Sequence, residues 1–344
     1  MQIPQPPDEY RPAQLDETIC LALVREHGLM TSDPVTVDTL DGGVSNAVFA
    51  VTDGQRRIVV KQSMERLRVS DEWRAPMERI LTEAAALDLT AALTPDRVPE
   101  PLFVDPRRFV LAIDGAPAGW RDWRAALLAG DANPAIATNL ATTLATWHTA
   151  TVDGRHLDDR FFDTQPLELL RVDPYYRTVA RRAPEVAAPL AELINHMQSR
   201  RRCLVHGDFS PKNVLIAPDT AACWVIDFEV AHFGDPAFDV AFLLSHLTLK
   251  AVHRPADAAR YDACTRAFVT AYQDAVDNQL RPDWPYVLRH TAGLLLARVL
   301  GKSPATYLDR AQAAAAWQLG LAILNHRPAT VDDLVRLRTK VTAS

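Results

Sequence analysis

His206-Gly207-Asp208-Phe209-Ser210-Pro211-Lys212-Asn213, then the apolar Cys223-Trp224-Val225-Ile226 and directly after it Asp227-Phe228-Glu229, decide how the chain is read. One isolated carboxylate stands five residues before an amide, and two further carboxylates follow a strand-like run. Apolar residues precede each half, Cys203-Leu204-Val205 and Trp224-Val225-Ile226. Between them Val214-Leu215-Ile216 and the turn Pro218-Asp219 complete a hairpin pattern. Either half alone reads as ordinary loop chemistry, since Asp and Asn side chains bond to nearby backbone and stabilise turns. Together they set carboxylates at strand ends on adjacent loops, where they can converge on one ion. That layout suits phosphoryl transfer, which needs an acidic group to orient and deprotonate a hydroxyl and oxygen ligands to hold Mg²⁺ against phosphates.

A chain of 344 residues, 48% apolar, can bury a large core and is long enough for two lobes. Cys20, Cys203, Cys223 and Cys264 are widely spread and form no C-x-x-C pair, so reduced, buried thiols and a cytoplasmic location are expected. The start, Met1 to Glu9, lacks the basic and apolar regions of a signal peptide, and no apolar run approaches transmembrane length. A net charge of −6 argues against nucleic-acid binding, which shows a basic stripe. Basic residues do gather at 177–182 and 200–202. A solvated helix face or end is the preferred reading there, and a specific anion site is the alternative.

Residues 1–14 are proline-rich and expected to be extended. A helical pattern over 15–27 stops at Gly28. Strands are expected over 35–40, 47–51 and 57–61, broken by Asp41-Gly42-Gly43 and Asp53-Gly54. A helix follows over 75–93, then strands over 101–104 and 109–113. From Asp114 onward the texture is helical, over 120–129, 135–150, 185–200, 238–249, 256–276, 284–300, 307–324 and 331–341, interrupted by the hairpin region of the opening motif. The fold class is therefore α+β, with a β-rich half, 1–113, before a larger helical half, 114–344.

The first half has chemistry of its own. Asp41-Gly42-Gly43-Val44-Ser45-Asn46 lies between two strands, where glycines permit a tight turn and backbone N–H groups can approach phosphate; a plain hairpin turn is the alternative. Lys61 ends the strand Arg57-Ile58-Val59-Val60, where a charge can simply snorkel. Glu83 tips that balance. It sits among alanines and leucines on the next helix, so it is expected to face inward, where a carboxylate needs a cation. Glu78, with charged neighbours, is the rival partner for Lys61.

Lys61, Glu83, Asp208, Asn213 and Asp227 stand in the order found in kinases, and the Asp-to-Asn spacing matches the protein-kinase catalytic loop. His206-Gly207-Asp208 and Gly234-Asp235-Pro236, followed by Asp239 and Ala241, resemble the aminoglycoside phosphotransferase and choline kinase superfamily over nearly the whole chain. The nearest pattern is similar to methylthioribose kinase: Val59-Val60-Lys61-Gln62, Trp73, Arg79, Glu83, Asp227-Phe228-Glu229 and Arg298-Val299-Leu300-Gly301. Two departures mark the acceptor side. That family carries two adjacent arginines where this chain has Ala297-Arg298, and a histidine expected soon after Gly301 is absent.

The resemblance implies a bilobal protein-kinase-like fold and an O-phosphotransferase using ATP or GTP with Mg²⁺. It makes Asp208 the base, with Lys212 beside it to offset charge on the moving phosphoryl group. Asn213, Asp227 and Glu229 become metal ligands. Lys61, Glu83, Gly42, Gly43 and Ser45 hold the phosphates, and Ala112 and Asp114 lie against the nucleotide base. Arg298, His232 and Trp120 are candidates for the acceptor, although tryptophans at a helix opening more often pack. Asp239 is expected to bond the backbone of the Asp208 loop, and His148 to be a buried hydrogen-bonding residue. The preferred acceptor is a sugar- or ribose-containing antibiotic; methylthioribose or another salvage sugar is the alternative. A kinase-like binding protein without chemistry is the rival from another class, opposed by the intact Lys61, Asp208, Asn213 and Asp227.

Overall fold

The computed structural model describes residues 12–31, 34–40, 45–68 and 73–343. The chain divides into two units, Met1–Trp120 with Trp224–Val230, and Arg121–Cys223 with Ala231–Ser344. The first break thus falls after Trp120, and the short Trp224–Val230 segment, remote in sequence, belongs with the first unit. Of the proline-rich start, residues 1–11 lie outside the described residues.

In the first unit β1 (Thr36–Leu40), β2 (Asn46–Thr52), β3 (Arg57–Ser63), β4 (Pro101–Asp105) and β5 (Val110–Asp114) form one antiparallel sheet, ordered β1-β2-β3-β5-β4. The β2–β3 turn is built by Asp53, whose Oδ1 accepts from the N–H groups of Gln55 and Arg56 at 3.0 and 2.8 Å. Helix α1 (Glu17–Glu26) starts where Asp16 caps the N–H of Ile19, and Gly28, at φ +64°, supplies the left-handed residue beyond its end. Its buried face, Cys20, Leu23 and Val24, joins Phe49, Val51, Ile58, Val60 and Phe103 in the core. Helix α2 (Arg79–Leu93) begins four residues later than the periodicity suggests. The reason is local: Leu67 N–H bonds to Trp73 O and Ala75 N–H to Glu65 O, so residues 73–75 pair with 65–67, and Pro76 disfavours helical geometry before it.

The second unit is mainly helical. It contains α3 (Trp123–Leu128), α4 (Pro134–Ala150), α5 (Gln165–Leu167), α6 (Thr178–Arg182), α7 (Ala187–Ser199), α8 (Ala237–His253), α9 (Ala258–Ala275), α10 (Trp284–Leu300), α11 (Arg310–His326) and α12 (Val331–Thr342). The short α5 runs into a π-helical stretch, Glu168–Arg177, that the periodicity does not suggest. Every residue of α8 from Ala237 to Val252 is buried, the pattern of a helix enclosed on all sides; α9 and α10 both lie against it. Strand β6 (Arg121–Asp122) pairs with β8 (Val214–Ile216), and β7 (Cys203–Val205) with β10 (His232–Gly234). Strand β9 (Cys223–Val225) carries the chain from one unit into the other.

The basic clusters are tied down within the second unit. Arg177 pairs with Glu168, Arg181 with Asp173, and Arg182 donates to the carbonyls of Leu300 and Gly301. Arg200 faces Asp235, Arg201 donates to Phe233 O, and Arg202 to Gln279 O. All four cysteines are buried and no disulfide links them. No helix among the described residues is long and apolar enough to cross a membrane.

Candidate functional site

In the first unit, the middle of the sheet brings Lys61 to the carboxylates. Lys61 follows the apolar Ile58-Val59-Val60 on β3, and its register places it opposite Val48 of β2 and Leu111 of β5. Its ammonium lies 2.8 Å from Glu83 Oε1 and 2.9 Å from Asp227 Oδ1, and the lysine is nearly inaccessible to water. Glu83 is thus the partner; Glu78 sits at the N-terminal end of α2. Burial alone would lower the Lys61 pKa, but Asp227, Glu83 and Glu229 together outweigh it and hold the ammonium above its usual range. Asp227 has φ +72°, a left-handed conformation that costs a non-glycine residue about 1–3 kcal/mol and is retained where the surroundings over-determine it.

A second buried ion pair, not foreseen from the sequence, braces the same segment. Arg79 Nε lies 3.0 Å from Glu229 Oε2, which also accepts from Asn46 Nδ2 at 3.0 Å. The other Arg79 donors reach the carbonyls of Ala75, Pro76, Ser45 and Met64. One guanidinium therefore clasps four stretches of the first unit. Arg79 could have been noticed as the one arginine opening an otherwise apolar helix, but its partner lies 150 residues away.

In the second unit, the Asp208 loop is held from three directions. Asp239, in the first turn of α8, accepts the N–H groups of His206 and Gly207 at 2.7 and 2.9 Å, as the sequence led us to expect. Gly207 takes φ +78°, a turn that glycine adopts without strain. Asp208 Oδ2 then receives Arg171 Nη2 at 2.7 Å, Lys212 Nζ at 2.8 Å and Asn213 Nδ2 at 2.9 Å. Three donors on one oxygen fix the carboxylate's orientation. Arg171 also donates to Gly207 O at 2.8 Å. It projects from the π-helical stretch, which includes Pro174, a residue without the N–H an α-helix needs; π segments recur at functional sites. Sequence reading passed over Arg171 because nothing local marks its partner.

The remaining candidates are placed as follows. Gly42 and Gly43 lie outside the described residues. Ser45 is buried, and its hydroxyl accepts from Asn46 Nδ2 at 3.1 Å. Ala112 is inside the sheet opposite Val60, and the N–H of Asp114 is taken by Glu100 O. Trp120 packs on Trp224, with ring centroids 5.2 Å apart. His232 is buried in β10, opposite Val205. Arg298 Nη1 donates to the carbonyl and hydroxyl of Ser303. His148 is buried with Nδ1 at 2.7 Å from the Tyr272 hydroxyl.

For magnesium the donor chemistry fits. Asn213 commits its amide N–H₂ to Asp208, and among the described residues its amide oxygen accepts no hydrogen bond; Asp227 adds a carboxylate. No group of three His, Cys, Asp or Glu among the described residues is arranged to cage a metal. Mg²⁺ takes one or two protein oxygens and completes its shell with phosphates and water, so the Asn213 amide oxygen in the second unit and the Asp227 carboxylate in the first are each of a type it accepts. Glu229, a third expected ligand, has Oε2 engaged by Arg79 and Asn46.

Known proteins resemble this chain in sequence and in fold. The chain is similar to methylthioribose kinase 2 of Oryza sativa subsp. japonica, 26% identical over 274 residues that cover 70% of this chain and 63% of the relative. It therefore spans less than two thirds of that relative's length. Among solved structures, a Ralstonia eutropha protein described as an aminoglycoside phosphotransferase aligns with TM-score 0.55 at 17% identity, covering 94% of this chain and 98% of that one. An amicoumacin kinase in complex with AMP-PNP, Ca²⁺ and Ami aligns with TM-score 0.50 at 16% identity, covering 96% and 94%. These likenesses show the protein-kinase-like fold shared by small-molecule kinases. Residues 36–277, well over half of the chain, match the model of the phosphotransferase enzyme family, and to that family the chain belongs.

Proposed function

We propose that the protein transfers the γ-phosphoryl group of ATP or GTP to a hydroxyl of a small, sugar- or ribose-containing molecule. The observation that carries this is the buried Lys61 ammonium, 2.8 Å from Glu83 and 2.9 Å from Asp227, in a chain of this family. Lys61, positioned by Glu83, holds the nucleotide's α- and β-phosphates, with Gly42, Gly43 and Ser45 as further candidates to hold them and the base against the strand at Ala112 and Asp114. Asp208 orients the acceptor hydroxyl and takes its proton as that oxygen bonds to the γ-phosphorus and the bridging oxygen departs. Lys212 offsets the negative charge on the group in transit. Asn213 and Asp227 would hold Mg²⁺, which would supply charge to neutralise the phosphates. Glu229, through Arg79 and Asn46, sets the path of the segment that carries Asp227. Buried, unlinked thiols fit a reducing compartment, the cytoplasm.

For the acceptor, an antibiotic is the preferred reading. Ala297 stands where methylthioribose kinases have an arginine, and Arg298 is turned to Ser303. The similarity to methylthioribose kinases favours methylthioribose as the second reading. Asp208→Ala tests the chemistry: turnover should fall by about 10³-fold or more, while Mg²⁺-nucleotide still shifts the melting temperature. Near-normal turnover by that variant sinks the base assignment. If the unmodified protein fails to bind Mg²⁺-nucleotide, the non-catalytic rival stands instead.

A further inference from the structure

The deeply buried helix α8 carries, one face along from Asp239, a histidine and a lysine without the partners buried charges require. Lys250 is wholly buried, yet its ammonium donates only to the Tyr307 hydroxyl at 2.8 Å and lies 4.0 Å from that ring's centroid. No carboxylate among the described residues comes within salt-bridge distance of it. One helical turn earlier, His246 is more than nine-tenths buried, stacks on Phe242, and makes no hydrogen bond through either ring nitrogen among the described residues. Arg298, on α10, meets only the Ser303 carbonyl and hydroxyl, and its Nε is buried without a partner.

Elsewhere buried cations are neutralised: Lys61 by Glu83 and Asp227, Arg79 by Glu229, Arg171 by Asp208, and Arg338 by Asp262. A buried ammonium or guanidinium without a counter-ion is costly enough that it is normally neutralised or removed. Burial first, then the nearby Arg298 and Arg124, press the Lys250 pKa down to about 7 against the opposing charge of Asp122. The same effects, with Lys250 and Lys212 added, hold the His246 imidazole well below its ordinary range. Helix α3, which carries Arg124, packs on the Pro211–Asn213 turn, and Lys212 of that turn lies 2.8 Å from Asp208.

We propose that the acceptor carries an anionic group, a carboxylate or phosphate, received by Lys250, Arg298 and His246 in the second unit. This rests on the phosphotransferase reading and narrows it. An acceptor with a hydroxyl for Asp208 and an anion for α8 is favoured, and polycationic acceptors are disfavoured because they would face like charge. The Ser303 and Tyr307 hydroxyls and the one N–H of a neutral His246 imidazole can donate the hydrogen bonds that a fully desolvated oxyanion takes.

The test uses the full chain with Mg²⁺ and AMP-PNP, titrated calorimetrically with compounds differing in charge: glycerol against glycerate and glycerol 3-phosphate, ribose against ribonate and ribose 5-phosphate, and one aminoglycoside. An anionic member should bind at least about tenfold more tightly than its neutral counterpart, and the carboxylate and phosphate arms tell which anion is meant. Lys250→Met and Arg298→Met should each erase that preference, as should His246→Gln if either of the others fails to fold, while AMP-PNP affinity stays within about twofold. Tighter binding of the neutral or cationic compounds, no binding by any anion, or an anion preference that survives these substitutions overturns the inference. Absence of AMP-PNP binding would instead defeat the phosphotransferase reading, and intact AMP-PNP binding without anion preference defeats this inference alone.

Discussion

The two units treat buried charge differently. In the first, positive and negative groups close on one another: Lys61 sits between Glu83 and Asp227, and Arg79 locks onto Glu229. In the second, the Asp208 loop is closed in the same way by Arg171 and Lys212, but Lys250 and Arg298 meet only a phenol, a hydroxyl and a carbonyl. Lys61, Arg79, Arg171 and Lys250 are all buried, and of these Lys250 alone lacks a carboxylate partner among the described residues. Arg79 and Glu229 are spent on the fold, whereas Lys250 and Arg298 keep their charge open to a ligand. Breaking a closed pair should therefore cost stability, whereas removing an open cation should cost binding and can even stabilise the folded chain.

The sharpest way to break that comparison is Arg79→Met. It strands Glu229 in the interior and empties four carbonyl contacts, so the loss of unfolding free energy should be about 3–5 kcal/mol, read from urea midpoints at constant m-value. Glu229→Gln added to it should restore part of the loss, because an amide is cheaper to bury than a carboxylate. A midpoint unchanged by Arg79→Met would mean that the clasp contributes nothing.

Lys61→Met comes next. If Lys61 acts on phosphate, turnover should fall by about 10²–10³-fold, and Lys61→Arg should not rescue it, since a planar fork does not fit between two carboxylates set for a point charge. If Lys61 serves the fold alone, the variant will melt earlier yet turn over normally per folded molecule, and the lysine's catalytic role falls.

The contrast also explains what could be read from the sequence. Sheet strands and most helices follow from periodicity and from Asp-Gly turns, and Lys61 with Glu83 could be paired because an isolated carboxylate among alanines must face something. The Arg79–Glu229 clasp could not, because its partners are separated by 150 residues and the Asp227-Phe228-Glu229 pattern reads as metal ligands, not as a partner for Arg79. Arg171 was hidden by the π-helical stretch, where Asp173-Pro174 interrupts the 3.6-residue pattern. Lys250 was hidden for the opposite reason: it lies in an apolar helix, where a lone lysine near the end reads as snorkelling until the structure shows it enclosed. The positions that sequence misses are those whose meaning depends on a distant partner or on the lack of one.

The smallest effect probes that lack of a partner directly. Lys250 has its pKa depressed from 10.5 to about 7 by burial and by Arg298 and Arg124, against Asp122. Below pH 7 both folded and unfolded chains carry the proton, and the cost of burying it is present in full. Between pH 7 and 10.5 the unfolded chain binds more protons than the folded one, so this residue's contribution makes stability rise with pH. From pH 7 to 8 the rise should be about 1 kcal/mol, and it should be missing in Lys250→Met, which is expected to be the more stable protein at pH 6. The quantity to follow is the difference in unfolding free energy between the two proteins from pH 6 to 9; a flat difference would show that Lys250 is solvated or paired after all. Repeating the series with a saturating anion that binds at α8 sharpens the point. A counter-ion beside the ammonium lifts its pKa back toward 10.5, so the slope near neutral pH should fade in the liganded protein and persist in the unliganded one.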